Sequence, residues 1–168
     1  MKRPDARALI GALGLVRHPE GGWYRETWRA GARTRFPSLG GAERGLGTAI
    51  VYLLERGDFS AFHRVRSDEL WCFHAGDPLE LFTIDESGER ARVVLGADVT
   101  RGEALQQLVP AGRWQAARVV AGGAFSVLGC LVVPGFEFDD FELADPRALA
   151  ASFPRHAALI AEFTRRPR

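Results

Sequence analysis

Histidine chemistry in this chain has few places to sit: it contains His18, His63, His74 and His156 and no others. His63 lies inside Phe59-Ser60-Ala61-Phe62-His63-Arg64-Val65-Arg66, and Asp68 and Glu69 follow across a short Ser-Asp break. Imidazole titrates near working pH, so a histidine with a carboxylate beside it can take up and return a proton. His63 with Glu69 is therefore the pair with the clearest chemical potential. The competing reading of His63 is a satisfied core histidine among apolar neighbours. His18, before Pro19, reads as a loop residue that fixes the chain path. His74 reads as structural and His156 as solvated. Cys72 has no neighbour in sequence except His74 to depress its pKa, so it reads as packing and not as a nucleophile.

These residues need elements to hold them. Leu9, Leu13 and Val16 recur at helical spacing, which predicts a short helix over Pro4 to Val16. Trp23 to Arg29 alternates, with Tyr24, Glu26 and Trp28 on one face and Trp23, Arg25 and Thr27 on the other. Ala30 to Gly47 is rich in Gly, Arg and Pro and poor in apolar residues, and reads as a long mobile loop. Strands are predicted over Thr48–Leu54, Phe59–Arg66, Glu69–His74, Leu79–Asp85, Arg90–Leu95, Leu105–Val109, Trp114–Val120 and Phe125–Val133. Many short strands with regular turns mean a sandwich or barrel, an all-β fold. Asp145-Pro146 starts a C-terminal helical tail with a break near Pro154. The final residues, Arg165 to Arg168, read as frayed. The break between His63 and Glu69 allows two registers. A two-residue turn puts Cys72 opposite His63, whereas a three-residue turn puts Glu69, Trp71 and Phe73 on the His63 face.

Several segments resemble a known family. His63-x5-Glu69-x6-Gly76 is similar to the first motif of the cupin superfamily, and Pro110-Ala111-Gly112-Arg113-Trp114-Gln115 to the second. The resemblance is closer to one branch, the DUF985 or cupin-5 family of predicted sugar epimerases. It rests also on the segments His18 to Glu26, Ser67 to Trp71, Gly76 to Glu80 and Pro134 to Phe141, in order along the chain. It implies a jelly-roll (double-stranded β-helix) barrel with short N- and C-terminal helices, as a single domain over 1–168. It favours the three-residue register, because cupins bring the first His and the Glu into one barrel mouth. It also implies a site without metal or other cofactor. Val65 and Gln115 stand where two of the family's metal-binding histidines would be, Val cannot ligate, and Gln is a poor transition-metal ligand.

Metal-free sugar epimerases of the superfamily use a His oriented by a carboxylate, with a Tyr as acid. By that resemblance His63 is the general base, Glu69 its partner and Tyr24 the acid, with Tyr52 reading as core. Arg25 can hold a phosphate or carboxylate. Glu26, Asp68, Trp71 and Gln115 complete the candidate substrate contacts, Trp71 as a stacking surface or wall and Gln115 as a group that orients a hydroxyl or carbonyl. Phe136, Phe138 and Phe141 read as barrel closure or packing against the C-terminal helix, with a border of the pocket as the second reading. The expected ligand is a small molecule, a sugar or nucleotide-sugar. The alternatives are a binding or sensor cupin without catalysis, and a metal-dependent cupin such as a dioxygenase.

Composition narrows the partners. The 22 Lys and Arg nearly cancel the 21 Asp and Glu, a formal charge of +1, which argues against a nucleic-acid or anionic-membrane partner. The most apolar run, Phe125 to Val133, is far shorter than a membrane span. Two cysteines do not make a disulfide framework, so a cytoplasmic setting is expected. A homodimer is expected too, since cupins commonly exchange N-terminal strands and Trp23 to Arg29 suits that role.

Overall fold

A computed structural model describes residues 5–165. The first helix, α1, spans Ala6–Leu13; Asp5 caps it by accepting from the Ala8 amide at 2.7 Å, and Gly14 ends it in a left-handed turn. The helix is shorter than the predicted Pro4 to Val16. Pro4 lies outside the described residues, and Val16 opens β1 (Val16–Arg17). The strands β2 (Trp23–Arg29), β5 (Thr48–Glu55), β6 (Phe59–Val65), β7 (Asp68–Gly76) and β8 (Leu79–Ile84) occupy the segments read as strands from the sequence. So do β9 (Arg90–Leu95), β10 (Gln106–Val109), β11 (Trp114–Val119) and β12 (Phe125–Val133).

The segment read as a mobile loop is instead a hairpin. Strands β3 (Arg33–Phe36) and β4 (Ala42–Gly45) pair in register, joined by a 3₁₀ turn over Pro37–Leu39. Its residues lack apolar alternation because ion pairs hold it. Arg33 meets Glu43 at 3.1 Å, and Arg44 meets the buried carboxylate of Asp140 at 2.6 Å. The last strand is β13 (Phe141–Leu143), and helices α2 (Pro146–Ser152) and α3 (Ala157–Glu162) follow, with the expected break at Pro154.

Two antiparallel sheets face each other as a jelly-roll. One runs β1-β2-β5-β12-β7-β10 and the other β13-β6-β11-β8-β9. Between them sits a core built on Tyr52, Leu54, Trp71, Leu79, Leu81, Leu95 and Leu128. The C-terminal helices cover the outer face of the five-stranded sheet through Phe62, Phe82, Ile84, Leu149, Ile160 and Phe163. Helix α1 covers one part of the other sheet's outer face, at Leu53, Phe125 and Val127.

Two expectations about registry change. Strands β6 and β7 do not form a hairpin. They belong to different sheets, so neither the two-residue nor the three-residue register applies. His63 pairs across to Gln115 and Leu143, whereas Glu69 pairs across to Val109 and Val132. Simple alternation of β2 also fails beyond Glu26. Glu26 pairs with Ile50 and Trp28 with Ala49, so Thr27 is a bulge. An extra residue reverses the facing of everything after it, and Trp28 points out, away from Tyr24.

The C-terminal end departs from expectation as well. Arg165 is not frayed: its guanidinium donates to the Glu20 carbonyl at 3.0 Å, to the Phe59 carbonyl at 2.8 Å and to Asp58. Residues 166–168 of the predicted frayed end lie outside the described residues. His156 is half-buried and meets the Gly88 carbonyl at 2.9 Å. Among the described residues no helix is long and apolar enough to cross a membrane.

Candidate functional site

Between the sheets, toward one end, lies a cavity of about 480 Å³ counting its open mouth. His63 and Val65 reach it from β6, Glu69 from β7, Tyr24 from β2, and Ile50 and Tyr52 from β5. His18 and Glu20 reach it from the turn between β1 and β2, and Phe136 and Phe141 close it from the 134–141 segment. His63 and Glu69 therefore face one space from opposite sheets.

Glu20 is the residue that joins this site together. Its Oε2 is 3.3 Å from His63 Nε2 and 3.3 Å from His18 Nδ1, and its Oε1 accepts from the Ser60 hydroxyl at 2.9 Å. The turn that delivers it depends on Gly22, whose φ is +69°. A Cβ there would stand 2.7 Å from the Tyr52 hydroxyl and 2.9 Å from the Leu53 carbonyl, so only glycine lets the chain pass. The buried Tyr52 is fixed by donating to the Gly21 carbonyl at 2.8 Å.

Hydrogen bonding constrains the proton positions. His63 Nδ1 is 2.8 Å from the Ala61 carbonyl, which can only accept. Nδ1 therefore carries a hydrogen, and the neutral ring keeps its lone pair on Nε2, toward Glu20. A carboxylate oxygen and an imidazole lone pair face to face need a proton between them. That proton rests on Glu20 or on His63, and moving it between them changes no net charge. His18 Nδ1 receives a long contact, 3.4 Å, from the Glu20 amide.

Burial sets the electrostatics. It pushes His63 below the usual imidazole value, against the opposing pull of Glu69, and does the same to His18 against Glu20. It pushes the Glu20 carboxyl up, against His18 and Ser60, and the Glu69 carboxyl up, against His63. Each shift favours a neutral group, as expected where water is excluded. The Cys130 thiol, also on the cavity wall, is held well above its ordinary value by burial and the nearby carboxylates.

Glu69 is held from behind. Gln115 donates from Nε2 to Glu69 at 2.6 Å, and Trp71 donates from Nε1 to the Gln115 carbonyl oxygen at 2.9 Å. All three are buried. Indole can only donate, so it fixes which end of the amide faces Glu69.

A family model described as "Cupin superfamily (DUF985)" matches residues 7–144. The chain belongs to this family. Among solved structures, it is similar to a hypothetical protein from Leishmania major, with 35% identity and a TM-score of 0.91 over 97% of this chain and 100% of that one. It is also similar to a Shewanella oneidensis protein, with 40% identity and a TM-score of 0.88 over 98% of this chain and 100% of that one. An uncharacterized Saccharomyces cerevisiae protein is 28% identical over 144 residues, covering 79% of this chain and 71% of the yeast protein. This cupin thus has the fold and the interior cavity of a small-molecule binder.

Not every residue singled out in the sequence reaches the cavity. His63, Glu69 and Tyr24 line it; Trp71 and Gln115 stand behind its wall. Arg25, Glu26 and Asp68 are exposed and do not line it. Glu26 pairs with Arg29 at 2.8 Å and not with Arg25. Asp68 accepts from the Ala111 amide at 2.8 Å, tying the two cupin motif turns together. Val65 lines the cavity as an apolar wall.

Sequence reasoning missed His18 and Glu20 as members of the site. The signal was present in His18-Pro19-Glu20-Gly21-Gly22, two titratable groups beside a turn that needs glycine. Sequence reasoning puts barrel closure or helix packing first for the phenylalanines of the 134–141 segment and a pocket border second, and the border is what the structure shows for Phe136 and Phe141. Phe141 stacks on His63 with ring centres 5.4 Å apart, and Phe138 stacks on His18 at 6.1 Å. Among the described residues no group of three or more His, Cys, Asp or Glu is arranged to hold a metal ion.

Proposed function

We propose that this cupin, a single domain over 1–168, is a sugar epimerase or isomerase. His63 is its general base, with Glu69 as partner. The carrying observation is His63, a buried imidazole on the cavity wall whose Nε2 lies 3.3 Å from the Glu20 carboxyl, which takes or gives up the proton between them and so frees Nε2 when it turns away. In the reaction, Nε2 takes the proton from a carbon next to a carbonyl. The C–H electrons move into an enediolate, and a proton returned to the opposite face of that carbon restores the carbonyl with inverted configuration. Tyr24 supplies the returning proton in this reading, since the Tyr52 hydroxyl is committed to Gly21. Glu20 and Glu69 stabilise the imidazolium that forms. No step requires a cofactor.

The test is exchange of substrate C–H with solvent deuterium, followed by NMR on a panel of ketoses. The wild-type protein exchanges the proton next to the carbonyl, and His63→Gln loses that exchange by at least about a hundredfold, the usual worth of a general base. Exchange retained in a folded His63→Gln protein overturns the base assignment. Exchange absent from the wild type with a bound sugar favours a binding or sensor role.

The same reading extends to assembly and location. The homodimer forms through the uncovered outer face of the six-stranded sheet. There Trp28, Ala49, Leu131, Leu70 and Leu108 are successive cross-strand partners. Trp28, Leu131 and Leu108 are 51%, 39% and 48% exposed, an apolar row of the kind that marks a subunit contact. Two buried free thiols, Cys72 and Cys130, fit a cytoplasmic protein.

A further inference from the structure

We infer that the cavity selects an uncharged, hydroxylated carbonyl compound of monosaccharide size, and that it rejects the phosphorylated or nucleotide-linked form of the same sugar. This rests on the proposed reading in taking the ligand to be a sugar, and it decides between the two kinds of sugar that reading leaves open.

Charge is the first argument. The ionisable groups on the cavity wall are two carboxyls, Glu20 and Glu69, two imidazoles, His18 and His63, and groups that ionise only to anions. Among the described residues no arginine or lysine lines it. Anionic ligands are held by arginine forks, lysines or rows of backbone amides, and this wall offers buried carboxyls instead. An anion placed there meets like charge, or forces a carboxyl to keep its proton. The arginines that reach the closing segment are engaged by acids: Arg29 by Glu26 and Glu137, Arg33 by Glu43 and Glu137, and Arg44 and Arg66 by Asp140.

Shape is the second argument. The volume of about 480 Å³ includes open solvent at the mouth, so the walled part is smaller than that and has less room for a nucleotide-linked sugar than for a single ring. Phe136, Phe141 and Tyr24 give the wall aromatic surface, and His63, Glu20 and Glu69 give it polar groups. A sugar ring matches both, with a C–H face that packs on aromatic rings and an edge of hydroxyls and a carbonyl.

The experiment compares binding of D-fructose and D-xylulose with D-fructose 6-phosphate, D-xylulose 5-phosphate and UDP-glucose. It uses ligand-detected NMR and calorimetry on the wild-type protein at neutral pH. An uncharged ketose is expected to bind at least about tenfold more tightly than its phosphate, since like charge across a contact is strongly disfavoured. Glu20→Gln and Glu69→Gln are expected to narrow that gap. A phosphorylated or nucleotide-linked sugar binding as tightly as the uncharged one overturns the inference. So does a failure of both uncharged ketoses to bind. A gap unchanged in both folded variants assigns the rejection to size and overturns the charge argument. Deuterium exchange is read on the same samples. An uncharged ketose that binds without exchanging leaves this inference standing and removes the epimerase reading instead.

Discussion

Burial moves the site's acids and bases in opposite directions, and stability should report it. His63 is lowered from 6.5 in the folded protein, with burial as the main cause. Above about pH 6.5 the imidazole is neutral in both folded and unfolded chains. As pH falls below that value the unfolded chain takes a proton that the native ring refuses, so stability is lost until the native value is reached. Glu20 works the other way. Its native pKa is raised from 4.5, so its favourable contribution is complete below that value and is lost as pH rises through the native one. Denaturation midpoints measured from pH 7.5 downward should show a shallower loss below about pH 6.5 in His63→Gln than in the wild type, because one refusing group is gone. Glu20→Gln should show a steeper loss over the same range, because a carboxyl that would have taken up a proton is gone.

At the scale of elements, the cavity depends on a hairpin and a segment that are far apart in sequence. The β3–β4 hairpin carries Arg44, and the 134–141 segment carries Asp140, Phe136 and Phe141. The Asp140 side chain is 1% exposed and that of Arg44 is 14%, so this ion pair is largely out of water. Removing one partner leaves a buried charge unpaired, a change that costs roughly 3–5 kcal/mol. Arg44→Ala should fall at the lower end, about 3 kcal/mol by urea unfolding, because Arg66 lies 3.6 Å from Asp140 and replaces part of the pairing. Hydrogen exchange in the same variant should rise in β3, β4 and residues 134–141 first, since those are the elements the pair joins. An unchanged exchange pattern there would show that the hairpin does not hold the closing segment.

At the scale of the whole molecule, the two sheets divide the work. The outer face of the five-stranded sheet is covered by α2 and α3. The six-stranded sheet leaves the row from Trp28 to Leu108 open. A second copy of the chain would cover it, so Leu131→Glu should convert a dimer to a monomer in light scattering after gel filtration. The cavity lies on the inner face, so the proposed sugar binding should not depend on the dimer and should be the same in that variant as in the wild type. A wild-type chain that is monomeric at micromolar concentration removes the dimer proposal.

Much of this was legible in the residues themselves. Short apolar or alternating runs between Gly, Pro, Ser and Asp breaks determine β2 and the strands from Thr48 to Val133, because such runs and turn chemistry are local properties of the chain, whereas the β3–β4 hairpin lacks them. Motif spacing singles out His63 and Glu69, and the absence of ligating side chains at Val65 and Gln115 is plain in the sequence. What the sequence could not decide was partnership. Whether β6 turns back on β7 or crosses to another sheet depends on long-range pairing. Crossing is what sets His63 against Glu69 across the interior. Glu20 and His18 join the site because the chain's beginning folds over its middle, and Arg44 finds Asp140 across the length of most of the barrel. The bulge at Thr27 reverses Trp28, and only the pairing of β2 with β5 reveals it. Local patterns specify strands and turns, whereas the charge, proton positions and walls of the cavity arise from contacts between residues that only the packed sheets bring together.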